Sequence, residues 1–388
     1  MISVKDAKKI IFNTTISQKI VEKPLKEGLN FVLAENLVSN INMPPFRQSA
    51  MDGYGIVSLD RTNFEVVNEI KAGDSGEIDI QPHQAIKIFT GAKAPQQVKA
   101  VIQIEKCSRN DNKLTIEEYA KLNQNIRPIG EQIQQGEIAL EEGTPLNPAA
   151  IGFLASLGIS KVKVYEKPSI GIIITGNELA GSDETLTGGM VYESNGVMLQ
   201  AAVNQYASIC AIYQVKDSLE GTTNIIQTAI ENHDVVLISG GISVGDYDFV
   251  YDGLTQNEVE VLFYKVNQKP GKPLLFGKKK SKHVFALPGN PAASLTCFYI
   301  YVLPLLKKYM GLNDADNQFQ SLEIAHNFEV NNTRSQFLKA HYQNGYVSIL
   351  THQNSSMLNS FAHANCLAYF ESGVYSIQKG DYIDIYHI

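Results

Sequence analysis

The chain has 388 residues, enough for two to four domains with a full core in each. An apolar content of 44 % and a charged content of 19 % are those of a globular protein, and a net charge of −7 argues against non-specific nucleic-acid binding. No apolar run reaches the ~18 residues of a membrane span. The opening residues show no signal-peptide pattern, and Cys107, Cys210, Cys297 and Cys366 form no CxxC pair, so reduced thiols and a cytoplasmic address are expected.

Ser3 with Asp6, and Val4, Ala7, Ile10 and Ile11 behind them, predict a capped amphipathic first helix. From Pro44 to about Glu137 the pattern becomes short runs such as Phe64–Ile70 and Ala85–Phe89 between Gly, Pro, Asn and Asp, which predicts a β-rich module. Asn147-Pro148 then supplies an N-cap and a first-turn proline for a helix through Leu157. Helices on both sides of the β module make it an insertion. The expected units are residues 1–45 with 137–167, an elongated helical domain, and 46–136, the inserted module.

From Ser169 the chain alternates strand and helix. Ile170–Thr175, Cys210–Val215 and Val235–Ser239 read as buried strands, Asn195–Tyr206 and Thr222–Ile230 as helices, and Ala292–Tyr309 as a closing helix kinked at Pro304. Strands apolar throughout belong to a parallel sheet covered on both faces. Residues 168–311 are therefore expected to form a doubly wound α/β ligand-binding domain. Asn344-Gly345 between Gln336–Tyr342 and Tyr346–Leu350 is a hairpin signal, and 312–388 read as a C-terminal all-β, barrel-like domain. The fold class is thus multi-domain α/β.

In such sheets ligands bind beyond the carboxyl ends of the strands, where this chain puts its glycines. Gly240, Gly241 and Gly245 form a candidate backbone nest for an anion, with Asp246 or Asp248 beside it. Nest plus carboxylate is a metal–phosphate arrangement, since Mg²⁺ takes one or two carboxylates and phosphate oxygens. Taken singly these acids read equally well as helix caps. Glu178 after Ile170–Thr175 and Asp217 after Cys210–Val215 occupy the same topological address. Lys269 and Lys272 each precede a proline, Pro270 and Pro273, which stiffen their loop just past Lys265 near a strand end. Pro288, Gly289, Asn290 and Pro291 lead into a helix that reaches Ser294, a start expected to leave backbone N–H groups open to an anion. In the insertion, Asp52-Gly53 and Thr90-Gly91 each read as an ordinary turn in isolation.

Together these segments resemble one family, the molybdopterin molybdenumtransferases of the MoeA type and the related E domain of gephyrin. PPFRQSAMDGYG, TGAKAP, TGNEL, SGGISVGDYD, KPGKP and LPGNPAAS occur in the family's order over nearly the whole chain. The resemblance implies an elongated homodimer with four domains per chain and composite active sites. It also implies an α/β domain that holds adenylylated molybdopterin, with molybdate inserted and AMP released. It assigns functional roles to Asp52, Glu178, Asp217, Asp248, Lys265, Lys269, Thr90, Pro288 and Pro291. On that basis Asp248 and Glu178 would hold Mg²⁺. Thr90, Gly91, the three nest glycines, Lys272, the Pro288–Pro291 turn and Ser294 would bind substrate. The chain departs from the usual pattern at Arg47-Gln48, Gln132, Asn177 and Ala292-Ala293. A molybdopterin adenylyltransferase and a non-catalytic scaffold are the rival readings.

Overall fold

The computed structural model describes residues 1–74, 78–242, 249–312 and 319–388. The first helix, Val4–Asn13, starts where Ser3 Oγ accepts from the Asp6 amide at 3.1 Å and donates to the Asp6 carboxylate at 2.7 Å. Its buried stripe of Val4, Ala7 and Ile11 packs into the core of the α/β region. Strand Ile20–Pro24 pairs antiparallel with Lys161–Tyr165, so the chain runs out into the insertion and returns beside its starting point. Helix Pro148–Ser156, capped by Asn147 Oδ1 on the Ala150 amide at 2.8 Å, packs Leu154 with Leu25, Leu33, Leu146 and Val164.

The insertion is a six-stranded sheet in the order Ala100–Gln103, Gly53–Ile56, Gln84–Ile88, Asn63–Ile70, Lys113–Ile116, Cys107–Asn110. Separate apolar clusters cover it, one around Phe64 and Leu114 and one around Ile86 and Ile88. Between strands Ala100–Gln103 and Cys107–Asn110 the chain makes a 3-10 turn at Ile104–Lys106. The hairpin with Lys113–Ile116 is made by the strand after that turn, Cys107–Asn110.

The α/β sheet runs Ile209–Val215, Ser169–Thr175, Val235–Ser239, Lys282–Leu287, Leu275–Lys279, Glu260–Tyr264. The first four strands are mutually parallel, Leu275–Lys279 runs antiparallel to them, and Glu260–Tyr264 pairs antiparallel with Leu275–Lys279. The purely parallel expectation therefore stops at the fourth strand, because Lys280-Ser281 is a hairpin turn with no room for a crossover helix. Ile170, Ile172 and Ile174 face one core cluster and Ile173 the other, which is why the strand is apolar without alternation. The closing helix is interrupted: α-helix Pro291–Cys297, a π-helical stretch Phe298–Val302, then α-helix Leu303–Tyr309. Pro304 has no N–H for the carbonyl one turn back, and the wider π-helical turn lies just before it, where the α-helical hydrogen bonding is interrupted.

At the C-terminus, Ser335–Gln343, Tyr346–Ile349, Phe319–Ile324, Tyr382–His387 and Cys366–Phe370 follow one another around a closed five-stranded barrel. The last strand pairs back with the first. A two-residue strand, Gln268–Lys269, adds in parallel to Ser335-Gln336 of that barrel. The lysine loop of the α/β domain is thereby joined to the C-terminal domain.

Candidate functional site

The four parallel strands end side by side, with Thr175 level with Val215, Ile174 with Ser239, and Ser239 with Leu287. Between these ends and the barrel edge lies a cleft of about 1300 Å³. It is lined by Glu178, Asp217, Gly240, Gly241, Lys269, Lys272, Pro288, Gly289, Asn290 and Pro291, so ten of the residues singled out from the sequence meet in one place. Sheet order sets their sequence across the cleft: Asp217, then Glu178, then the glycines, then the proline turn, then the lysines against the barrel.

On the acidic side, Asn177 and Asp217 bind reciprocally. The Asn177 amide donates to the Asp217 carboxylate and the Asp217 amide to Asn177 Oδ1, both at 3.2 Å. Asn177, a departure from the usual family pattern, therefore braces the acid instead of adding a charge beside it. No donor among the described residues engages the Glu178 carboxylate. Gly240 and Gly241 take positive φ of 96° and 61°. A Cβ on Gly240 would sit 2.8 Å from Thr175 Oγ1 and 2.9 Å from the Thr175 carbonyl, so no other residue lets this loop lie so close to the neighbouring strand end. Gly245 and Asp248 lie outside the described residues.

The cationic side is stiffened from beneath. Buried Gln268 donates to the carbonyls of Pro270 at 3.0 Å and Gly271 at 3.4 Å, and its own Oε1 accepts from the buried Tyr301 hydroxyl. Lys269 and Lys272 are exposed and have no acid partner among the described residues. The helix start after the proline turn differs from expectation. Pro291 has no N–H, the Ala292 and Ala293 amides donate to the Ser355 carbonyl at 3.0 and 3.3 Å, and the Ser294 amide donates to the Asn290 carbonyl. Those amides are capped by the barrel and are not open to an anion. Ser294 is fully buried, and its hydroxyl has no partner among the described residues.

Lys265 does not line this cleft. Its backbone is left-handed at φ 67°, and its ammonium lies 4.6 Å from the centre of the Tyr264 ring, whose hydroxyl donates to the Ile242 carbonyl at 3.0 Å beside the glycine nest. Asp52 and Thr90 meet each other in the insertion, away from the cleft residues of the same chain. The Thr90 amide and hydroxyl each donate to Asp52 Oδ1 at 2.7 Å, and these two bonds hold the carboxyl below the usual range. A Cβ on Gly53 would run into the Ile102 carbonyl, which is why glycine follows Asp52. Gln48 donates to the Gly91 carbonyl at 3.0 Å, and Arg47 donates to the carbonyls of Pro95, Gln96 and Val98. Both departures are thus absorbed inside the insertion.

Several cleft residues were not foreseen. Asn195 Nδ2 ties the Ser239 hydroxyl at 2.9 Å to the Gly289 carbonyl at 2.7 Å, and among the described residues its buried Oδ1 has no partner, nor has Thr175 Oγ1. Arg334, Gln336, Ser355 and Ser356 come from the barrel. Arg334 is the only arginine beyond position 127, the one sequence signal that could have marked it.

Residues 2–158 match the MoeA N-terminal region (domain I and II), 171–308 a probable molybdopterin binding domain, and 322–388 the MoeA C-terminal region (domain IV). A molybdopterin molybdenumtransferase of Staphylococcus epidermidis is 33 % identical over 397 positions, covering 99 % of this chain and 95 % of that protein. One from Staphylococcus aureus is 32 % identical with the same coverage. The crystal structure of a molybdopterin biosynthesis moeA protein from Pyrococcus horikoshii OT3 has a TM-score of 0.85 to this chain at 27 % identity, with both chains fully covered. A second Pyrococcus structure of that kind gives 0.81 at 28 %, over all of this chain and 99 % of the other. With a third of its residues shared along its whole length and all three family regions present in order, the chain belongs to the MoeA family.

Proposed function

We propose that this protein inserts molybdenum from molybdate into adenylylated molybdopterin and releases AMP. The observation that carries this reading is the charge division of a single cleft. Glu178, with no donor among the described residues, and Asn177-braced Asp217 stand at one end, and Lys269, Lys272 and Arg334 at the other. A ligand that pairs a metal-bound phosphate with a tetrahedral oxyanion matches both ends. The names of the related proteins agree with it.

The donor set fits Mg²⁺: hard carboxylate oxygens, one of them uncommitted, beside a glycine nest for phosphate. Glu178 would hold the ion, with Asp248 as the second candidate. When bound, Mg²⁺ would neutralise charge on the phosphate oxygens. The chain's own groups do the remaining work by position and charge. The nest backbone orients the phosphate, Asn195 and Thr175 offer buried polar atoms to the pterin side, and Lys269, Lys272 and Arg334 hold molybdate. Guanidinium and ammonium donors suit a tetrahedral dianion as they suit phosphate. Lys269 also stabilises charge that develops as AMP leaves.

Asp52, its carboxyl kept ionised by two bonds from Thr90, sits in the insertion and is not among the residues lining the cleft of its own chain. In the proposed homodimer the insertion of one subunit closes over the cleft of the other and delivers this pair, giving two composite sites by two-fold symmetry. Incubation with adenylylated molybdopterin and increasing molybdate, with AMP measured, tests the reading. AMP should appear in proportion to molybdate, and AMP formed equally well without it would contradict insertion.

A further inference from the structure

Half of the barrel residues that line the cleft, Gln353 to Ser356, lie in a loop with no helix or strand of its own. What holds the loop is a buried lysine. Lys339 lies on strand Ser335–Gln343 opposite Leu367 and is 4 % exposed. Its ammonium donates to the carbonyls of His352 at 2.7 Å, Met357 at 3.0 Å and Asn354 at 3.3 Å. An ammonium has three N–H donors, so all are spent on this one loop. No carboxylate among the described residues balances its charge.

A buried, uncompensated charge is a poor way to stabilise a barrel, since an apolar side chain of similar size would fill the space without desolvation cost. The lysine is better explained by what it fixes. Gln353 clasps the same residue from the side, accepting from the Lys339 amide at 2.9 Å and donating to its carbonyl at 2.8 Å. On the loop's far side, the Ser355 carbonyl takes the Ala292 and Ala293 amides, and Ser355 Oγ accepts from Asn290 Nδ2 at 3.0 Å. A continuous path of hydrogen bonds therefore runs from the buried ammonium, through the loop, to the proline turn of the cleft.

We propose that Lys339 is a positioning residue for the oxyanion end of the cleft: it anchors loop 352–357 against the Asn290–Ala293 helix start and so sets the affinity for molybdate without touching it. This rests on the molybdate reading above. The test compares Lys339→Met, which keeps length and removes the charge and donors, with Lys339→Arg, which retains both. In Lys339→Met the molybdate concentration giving half-maximal AMP release should rise about 10-fold, on the scale of one lost charged hydrogen bond. The maximal rate should change less, and calorimetric binding of ADP with Mg²⁺, at the opposite end, should stay as in the parent. Hydrogen exchange at the Ala292 and Ala293 amides should accelerate while exchange at Gly240-Gly241 does not. Lys339→Arg should recover most of the molybdate affinity.

An unchanged half-saturation and unchanged exchange in folded Lys339→Met would overturn the proposal. So would equal weakening of molybdate and ADP, which marks a merely structural lysine. If Lys339→Met does not fold, Ser355→Ala removes the hydroxyl link to Asn290 at the far end of the path, leaving the Ser355 carbonyl bonds, and should raise half-saturation by ~3-fold, the loss of one neutral hydrogen bond. No rise there would count against the proposal as well. A parent protein that releases no AMP in response to molybdate would overturn the functional reading instead, and the exchange measurement would still decide the anchoring.

Discussion

Asp52 shows how much one carboxylate's state depends on two donors. It is solvent-exposed, so its charge owes little to burial; the Thr90 amide and hydroxyl keep it ionised to lower pH than an ordinary aspartate. Thr90→Val removes the hydroxyl and keeps the amide. The Asp52 carboxyl should then titrate at higher pH, moving back toward ~3.9, which a carboxylate-detected NMR titration would read. A titration identical to the parent's would mean the hydroxyl is spectator. The aspartate-glycine pair and the threonine could both be picked out of the sequence by their company. That they contact each other could not, because 38 positions and three strands separate them and only the sheet pairing closes the gap.

At the scale of elements, the α/β sheet is pinned at its amino edge as firmly as it is opened at its carboxyl edge. Asp234 begins strand Val235–Ser239 and ties together its neighbours on both sides. Ser169 donates to it from both amide and hydroxyl at 3.0 and 2.8 Å, and Lys282 pairs with it at 3.1 Å. Partial burial alone would raise this carboxyl, but those donors outweigh it and hold it down to about 2. The folded value lies below the unfolded one, so the group's contribution to stability is complete above about pH 4 and is lost as pH falls toward 2. Asp234→Asn should therefore lower stability by on the order of 2 kcal/mol at neutral pH and progressively less in acid. Denaturant unfolding across that range measures it, and a loss independent of pH would remove the ion pair from the explanation.

The elements themselves were largely readable, because buried parallel strands and capped helices carry local signals. The missed features were non-local. The π-helical stretch before Pro304 registers only as a proline. The docking of helix Val4–Asn13 on the α/β core has no sequence mark beyond its apolar stripe.

For the whole molecule, the same division holds for the site. Glu178, Asp217, the glycines, the lysines and the proline turn were legible because each sits where a strand ends, a position that topology alone makes a ligand address. Arg334, Ser355, Ser356 and Lys339 were not, since their place depends on a two-residue strand, Gln268–Lys269, adding to the barrel. The separation of Asp52 and Thr90 from the cleft of their own chain gives the homodimer a direct test. Mixing Asp52→Ala chains with Glu178→Ala chains, each inactive alone, should restore about a quarter of parental sites, one per heterodimer after random exchange. No recovery in a sample shown to exchange subunits would mean that the two residues do not share a composite site.

The central claim is that the cationic end of the cleft is part of a reaction centre and not a structural or docking surface. Lys269 is exposed, held by the proline loop and close in sequence to Lys272, with no acid beside it among the described residues. Its removal relieves repulsion and breaks no ion pair. The most direct measurement is the melting temperature and the molybdate-dependent AMP-release rate on one preparation of Lys269→Ala. The melting temperature should be unchanged or slightly raised. The rate should fall by ~10² or more, the scale of losing one electrostatic stabiliser of a transition state. An undiminished rate would contradict the account.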